Sequence, residues 1–178
     1  MFEVEREELA RELMAYPIKY KKRDLSAVYQ NRVLLDRVVS CLAKPFLGKA
    51  DYVAAPEPSG SVFGSLLARE LGIGFLPIHK ADGNRIEEND RLAAPYIDHN
   101  NLVKTLEVRK STFPEHSRIL LVDDWVDTAV TLQTCAAIVE EAMGTVVGMA
   151  SIGAGCSENA THMLESGLLQ CILKKPLE

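Results

Sequence analysis

Short apolar runs alternate along this chain with stretches in which apolar residues return every three or four positions. Residues 2–15 place Phe2, Leu9, Leu13 and Met14 on one face and Glu and Arg on the other, which predicts an amphipathic helix. Residues 31–47 predict a second helix, with Val33, Leu34, Val38, Cys41, Leu42 and Phe46 as its apolar stripe. Tyr52-Val53-Ala54-Ala55 is a short strand candidate, followed by the turn-rich run Pro56-Glu57-Pro58-Ser59-Gly60. Val62 to Leu71 predicts a helix stopped at Gly72, and Phe75 to Ile78 predicts the next strand. Ile119 to Val122, after Arg118, is uniformly apolar, as a strand covered on both faces must be. A helix over Thr131 to Met143, a strand over Val146 to Ile152, a short helix over 158–166 and a strand over Leu169 to Leu173 complete the pattern. Strands alternating with helices imply one α/β domain spanning 1–178, with a mostly parallel twisted sheet flanked by helices and right-handed crossovers.

Two stretches fall outside this alternation. Lys19-Tyr20-Lys21-Lys22-Arg23 is a basic run ending at Asp24, and on pattern alone it reads as a solvated face. Residues 81–107 are polar, contain Gly83 and Pro95, and show no clear period. A loop of that length inside a compact domain is functional or disordered. The mixed runs Arg91 to Tyr96 and Leu102 to Val108 leave room for a small hairpin within it.

Composition narrows the classes. The chain has 178 residues and a formal charge of -5, which fits one domain and argues against broad nucleic-acid binding, a role that needs a basic footprint. A small anionic ligand held by local donors stays open. No apolar run reaches membrane-spanning length. The acidic, amphipathic N-terminus is not a signal peptide. Cys41, Cys135, Cys156 and Cys171 lie far apart without metal-ligand spacing, so free buried thiols in a reducing cytoplasm are expected. His79, His99, His116 and His162 share no spacing either and read as surface or satisfied residues.

The chemistry concentrates in Ile119 to Leu132. Asp123 and Asp124 are adjacent carboxylates at a strand terminus, and Asp127-Thr128-Ala129-Val130-Thr131 runs from there into a helix N-terminus. Ligands of open α/β sheets bind beyond the carboxyl ends of strands. Backbone N–H groups at a helix start favour a phosphate. Paired carboxylates accept hydrogen bonds from vicinal sugar hydroxyls, directly or through a metal. A sugar phosphate fits both halves. Alone, a strand ending in Asp-Asp is more often a solvated strand end or a phosphoacceptor pocket.

The segment ILLV-DD-WVDT-AVT-L resembles the phosphoribosyl pyrophosphate signature of type I phosphoribosyltransferases. DYVAAPEPSGSVFGSLLARELGIGFLPIHK is similar to the strand, pyrophosphate loop, helix and strand before the flexible loop of the adenine phosphoribosyltransferases. KKRDLSAVYQNRVLLDRVV is similar to their N-terminal Arg-Asp segment, and LEVRKSTFPEHSRILLVDD to their approach to the signature. The likeness covers roughly residues 20–153. It implies the type I phosphoribosyltransferase fold, with a small N-terminal hood over 1–30 and a flexible lid over 81–107. It implies transfer of ribose 5-phosphate from phosphoribosyl pyrophosphate to a nitrogenous base, a purine, giving a nucleotide and pyrophosphate. Asp123 and Asp124 would hold the ribose hydroxyls and possible Mg²⁺ contacts, and Asp127, Thr128, Ala129, Val130 and Thr131 the 5-phosphate. Glu57, Pro58, Ser59 and Gly60 would face the pyrophosphate, with Lys80 and Arg23 as basic contacts. Catalytic groups would be Asp127 beside the base and Asp98 or His99 from the lid. Mg²⁺ would travel with the substrate, and a homodimer is implied.

The chain departs from that pattern in places. Ala129 stands where Gly is usual, a change that costs little at negative φ. Ser59 replaces a basic residue. Lys21 and Lys22 replace apolar or aromatic residues, one of which stacks on adenine. Asp127 is closer to the hypoxanthine-guanine group, and Trp125 is unusual. These changes motivate an alternative, a non-catalytic phosphoribosyl pyrophosphate or nucleotide-binding regulator. A phosphate-receiving signalling domain is a third reading, but the chain lacks an early acidic pair and such a domain leaves 81–107 unexplained.

Overall fold

In chain order, α1 (Phe2–Met14) leads through the two-residue strands β1 (Ile18–Lys19) and β2 (Lys22–Arg23) to α2 (Ser26–Gln30) and α3 (Arg32–Ala43). Then come β3 (Tyr52–Pro56), α4 (Ser59–Leu71), β4 (Gly74–Lys80), β5 (Arg91–Ile97), β6 (Val103–Arg109), β7 (Arg118–Val126), α5 (Val130–Glu141), β8 (Thr145–Ala154), α6 (Glu158–Glu165) and β9 (Leu169–Lys174). This is a computed structural model that describes residues 2–15, 18–19, 22–23, 25–81, 85–98 and 101–174, without the side chains of residues 2, 3, 18, 19, 22, 23 and 27.

The main sheet has seven strands in the order β5-β6-β4-β3-β7-β8-β9. The run β4-β3-β7-β8-β9 is parallel, and β6 and β5 continue it antiparallel at one edge. Alternation along β7 shows why the strand is apolar throughout. Leu120 and Val122 join a core with Leu9 and Leu13 of α1, Val38 of α3, and Phe63 and Leu67 of α4. Ile119 and Leu121 join a second core with Leu132 and Ile138 of α5 and Met163 of α6. Each face of a sheet must bury its apolar side against a helical layer, and β7 lies between both layers.

Several boundaries differ from the sequence expectation. The helix expected over 31–47 runs only from Arg32 to Ala43, capped by the Asn31 side chain, and Pro45 turns the rest into a 3₁₀ segment. Val33 is 68% exposed, outside the buried stripe, and Met14 of α1 is exposed too. The helix after the Pro56–Gly60 run begins at Ser59, so Ser59 and Gly60 belong to its first turn rather than to a loop. The strand expected to stop at Val122 continues to Val126, which puts Asp123, Asp124 and Trp125 in β7 itself. Cys156 is exposed, unlike the other three cysteines, and no two are bridged.

Within 81–107, the hairpin for which the runs Arg91 to Tyr96 and Leu102 to Val108 left room is present: β5 and β6 form a regular antiparallel pair, from Arg91↔Arg109 to Ile97↔Val103. The hairpin joins the sheet through His79↔Glu107 and Lys80↔Leu106 of β4. The period was hidden because one face is covered by α5 while the other carries mixed polar and small residues. Buried Leu92, Leu106 and Val108, with half-buried Tyr96, enter the second core. Glu107, buried beneath the other face, pairs with Arg91 at 3.0 Å.

β3 and β7 are fastened where both begin. Asp51 Oδ2 accepts from the Arg118 backbone N–H (2.8 Å) and Nε (3.1 Å), and Oδ1 accepts from Nη2 (2.7 Å). These hydrogen bonds from the Arg118 side chain and backbone pull the Asp51 carboxyl from 3.8 down to about 2. A carboxyl lowered by folding adds stability above its unfolded value and loses it as pH falls through the folded one. Urea titrations should therefore find Asp51→Asn less stable than the parent at pH 7. The difference should shrink from about pH 4 and vanish only below about pH 2; a gap that stays at its pH 7 size down to pH 2 would assign the effect to packing.

Candidate functional site

Pro56 ends β3, Val126 ends β7, and both ends open on a cavity of about 660 Å³. Its wall includes Glu57 and Pro58 from the β3–α4 turn, Ser59 at the start of α4, Lys80 at the end of β4, and Asp123 to Leu132. Tyr96, Ile97, Asp98 and Lys104 of the hairpin complete it. The position beyond the carboxyl ends of neighbouring parallel strands is where such sheets bind ligands.

The acidic pair is held by its own backbone. Asp123 Oδ1 accepts from the Asp124 N–H (2.8 Å), and Asp124 Oδ1 from the Trp125 N–H (2.9 Å). The first turn of α4 lies directly on this strand end. A Cβ on Gly60 would sit 3.0 Å from Asp123 Oδ1 and 3.2 Å from the Val122 carbonyl oxygen, so any larger residue would have to push this close contact apart by a few tenths of an ångström. Gly60 is thus a spacer behind the acid pair and not part of the cavity wall, unlike Glu57, Pro58 and Ser59.

Asp127, Thr128 and Ala129 join β7 to α5. Ala129, the N-cap, has φ +65°, and no side chain caps the helix. The left-handed conformation costs a non-glycine residue roughly 1–2 kcal/mol, so the condition under which alanine costs little, a negative φ, is not met. In return, the first-turn amides of α5 lack an internal acceptor, and Ala129 to Leu132 line the cavity, the arrangement that receives an anion. Thr128 is exposed and Thr131 half-buried at the same mouth.

Two glycines explain the unusual residues on β7. Trp125 pairs with Gly153 of β8. A Cβ on Gly153 would come 2.1 Å from the indole Cζ3, so the ring occupies the space of the missing side chain. Asp127 lies against Gly155 in the same way, its Oδ1 2.9 Å from where a Cβ would stand. Ser157 donates through Oγ to the Asp127 carbonyl (2.7 Å) and accepts the Ala160 N–H as the cap of α6. Gly153, Gly155 and Ser157 escaped notice in the sequence because each acts on a residue about 28 to 30 positions away.

The hairpin tip carries Asp98, whose side chain is 5% exposed and 2.5 Å from Lys104 Nζ. Asp98 Oδ1 also accepts from the Leu102 N–H (3.0 Å). Paired in this way, Asp98 is an acceptor, and the donor at the tip is the Lys104 ammonium. The hydrogen bond that Lys104 donates to Asp98 holds the ammonium above its usual value. His99 lies outside the described residues, and the Arg23 side chain is not described.

Tyr29 was not singled out by sequence. Its ring packs on Phe63 at 5.1 Å between centroids. Burial, followed by the negative charges of Asp124 and Asp123, pushes its hydroxyl up to about 12. At the opposite end, Glu57 Oε1 lies 2.9 Å from His79 Nδ1, and Arg85 Nη1 lies 3.0 and 3.1 Å from its two oxygens. Burial raises the Glu57 carboxyl, but the hydrogen bonds and charges of His79 and Arg85 outweigh it and hold the group below its ordinary value. No cluster of three or more His, Cys, Asp or Glu side chains able to cage a metal occurs among the described residues.

Comparison with known proteins places this geometry in context. Residues 25–161 match the phosphoribosyl transferase domain family. The adenine phosphoribosyltransferase of Thermoanaerobacter sp. (strain X514) is 31% identical over 144 residues, 78% of this chain and 79% of that one. That of Thermobifida fusca is 34% identical over 128 residues, 71% of this chain and 70% of that one. The crystal structure of adenine phosphoribosyltransferase from Thermoanaerobacter pseudethanolicus superposes with a TM-score of 0.81 at 26% identity, covering 93% of this chain and 99% of that one.

The Trp125–Gly153 fit makes its own prediction. Gly153→Ala should destabilise the fold by about 1–3 kcal/mol, the usual cost of overpacking, and adding Trp125→Val should recover much of the loss. Chemical denaturation of the two variants decides it: a neutral Gly153→Ala would mean that the indole does not sit there.

Proposed function

The chain belongs to the phosphoribosyltransferase family, and from that premise we propose that it transfers ribose 5-phosphate from phosphoribosyl pyrophosphate to a purine. The observation that carries this reading is the uncapped start of α5, five residues after the acid pair of β7 and opening on the same cavity. The spacing suits one pentose: amides of residues 128 to 131 for its 5-phosphate, and the carboxylates of Asp123 and Asp124 for its hydroxyls.

In the reaction, a purine ring nitrogen gives its electron pair to the anomeric carbon of the ribose. The bond from that carbon to the diphosphate oxygen breaks with its electron pair, and the nitrogen loses its proton. Asp127, whose carboxylate packs on Gly155 and whose carbonyl accepts from Ser157, would accept a base N–H. The hairpin supplies a cover that excludes water, the competing nucleophile of a cation-like sugar. Its Ile97 and the Asp98–Lys104 pair would face the substrate.

Mg²⁺ fits this donor set as a companion of the substrate. It binds through one or two carboxylates together with phosphate oxygens and waters rather than in a protein cage. Asp123 and Asp124 would hold it, and it would offset charge on the departing diphosphate. The four unbridged cysteines support a reducing, cytoplasmic setting, and no helix among the described residues is long and apolar enough to cross a membrane. The same reading carries a homodimer, for which exposed Val33 and Val62 on the packed helices α3 and α4 offer apolar surface.

Adenine, hypoxanthine and guanine should each be supplied with phosphoribosyl pyrophosphate and Mg²⁺, and nucleotide formation followed by chromatography. At least one base should be converted, and Asp123→Asn or Asp124→Asn should lower kcat/KM by about 10- to 100-fold, the loss of one charge-assisted hydrogen bond. Tight binding of phosphoribosyl pyrophosphate without turnover of any base would instead assign the chain a non-catalytic, regulatory role.

A further inference from the structure

The cavity is poorly supplied with positive charge for the ligand just proposed, and the inference that follows rests on that proposal. Its walls carry the carboxylates of Glu57, Asp98, Asp123, Asp124 and Asp127 against the ammonium groups of Lys80 and Lys104. Lys104 is engaged by Asp98. At the β3–α4 turn, Glu57 presents a carboxylate where a diphosphate would lie, and Ser59 beside it adds only a hydroxyl. An ionised carboxylate in that position repels the ligand unless a cation stands with it.

That cation is Arg85. Its Nη1 donates to both oxygens of Glu57, at 3.0 and 3.1 Å. His79 Nδ1 lies 2.6 Å from the same Nη1 and 2.9 Å from Glu57 Oε1, so it accepts from the first or donates to the second according to its tautomer. The backbone around Arg85 is braced as well. The Arg85 carbonyl accepts from Arg109 Nη2 (3.3 Å), Arg109 Nη1 pairs with Asp90 at 3.0 Å, and Asp90 takes the Ser111 amide (2.7 Å) and hydroxyl (2.8 Å). An exposed ion pair alone is worth little, and Arg85 is 42% exposed. Here one partner forms the cavity wall, and a chain of polar contacts from β6 fixes the segment that carries the other.

We propose that Arg85 is a diphosphate-binding residue of this chain. Glu57, which lines the cavity, acts as its positioning residue and holds the guanidinium next to that wall until phosphate oxygens share it. A guanidinium offers five N–H donors in a planar fork, so it can meet Glu57 and a phosphate oxygen together. The arrangement supplies from the segment after β4 the charge that Ser59 does not supply from the turn after β3.

The test uses the full chain with Arg85→Gln, Arg85→Lys and the double variant Ser59→Arg/Arg85→Gln. Inhibition by pyrophosphate is measured in the presence of Mg²⁺, together with KM for phosphoribosyl pyrophosphate and for the purine. Arg85→Gln should weaken pyrophosphate and phosphoribosyl pyrophosphate by about 10-fold or more and leave the purine KM near its parent value. Arg85→Lys should keep part of the affinity, and the double variant should regain it through a guanidinium on the other side of the turn. An unchanged pyrophosphate inhibition constant in Arg85→Gln overturns the assignment, whatever happens to its melting temperature. Should the parent turn over no base, the activity proposed above fails by itself. Calorimetry of magnesium pyrophosphate binding to parent and Arg85→Gln then judges Arg85 separately: equal affinities refute it, and a loss confined to the variant supports it.

Discussion

Three residues separate the end of β7 from the start of α5, and that shortness is the constraint on which the site depends. A chain leaving the sheet must reverse within Asp127, Thr128 and Ala129 to lay α5 back on the second core. The reversal forces Ala129 into the left-handed region at φ +65°. It also brings the uncapped first turn of α5 beside the carboxylates at the end of β7. Carboxylate acceptors and helix-start amide donors thus stand a few residues apart on a rigid frame. The frame is rigid because β7 is buried on both faces, between the α1/α3/α4 layer and the α5/α6 layer.

Around that turn, neighbouring elements are shaped to fit. Gly60 lets α4 rest on the acid pair, Gly153 receives the indole of Trp125, and Gly155 receives Asp127. Large side chains on one strand have been matched by absent ones on the next, so that Trp125 and Asp127 sit in β7 and its loop without disrupting the parallel ladder to β8. On the far side, the β5–β6 hairpin is an extension of the sheet that carries Asp98 and Lys104 over the cavity. Arg91, Asp90 and Arg109 brace its base.

The layer pattern was legible in the sequence because buried parallel strands are apolar throughout while helices keep a 3.6-residue stripe. Asp123, Asp124 and the helix start after them were legible for the same reason: the chemistry is contiguous. The hairpin was harder to read, since Pro95 and the polar tip broke its alternation and its inner face is paired with α5 rather than with a local partner. Strand ends were misjudged where polar residues continue a ladder, as Asp123 to Val126 do. Trp125 could not be understood alone, because its explanation lies at Gly153. Glu57 reads as a turn residue until folding sets His79 and Arg85 beside it, and Tyr29 as a helix residue until its hydroxyl meets the field of the acid pair.

The central claim is that one pentose is held between the end of β7 and the start of α5. A crystal structure of the protein with phosphoribosyl pyrophosphate and Mg²⁺ tests it most directly. The 5-phosphate should lie within hydrogen-bonding distance of the backbone amides of residues 128 to 131, and the ribose hydroxyls within reach of Asp123 and Asp124, directly or through the metal. A sugar phosphate bound elsewhere, or one lying in the cavity with its phosphate turned away from α5, would contradict the account.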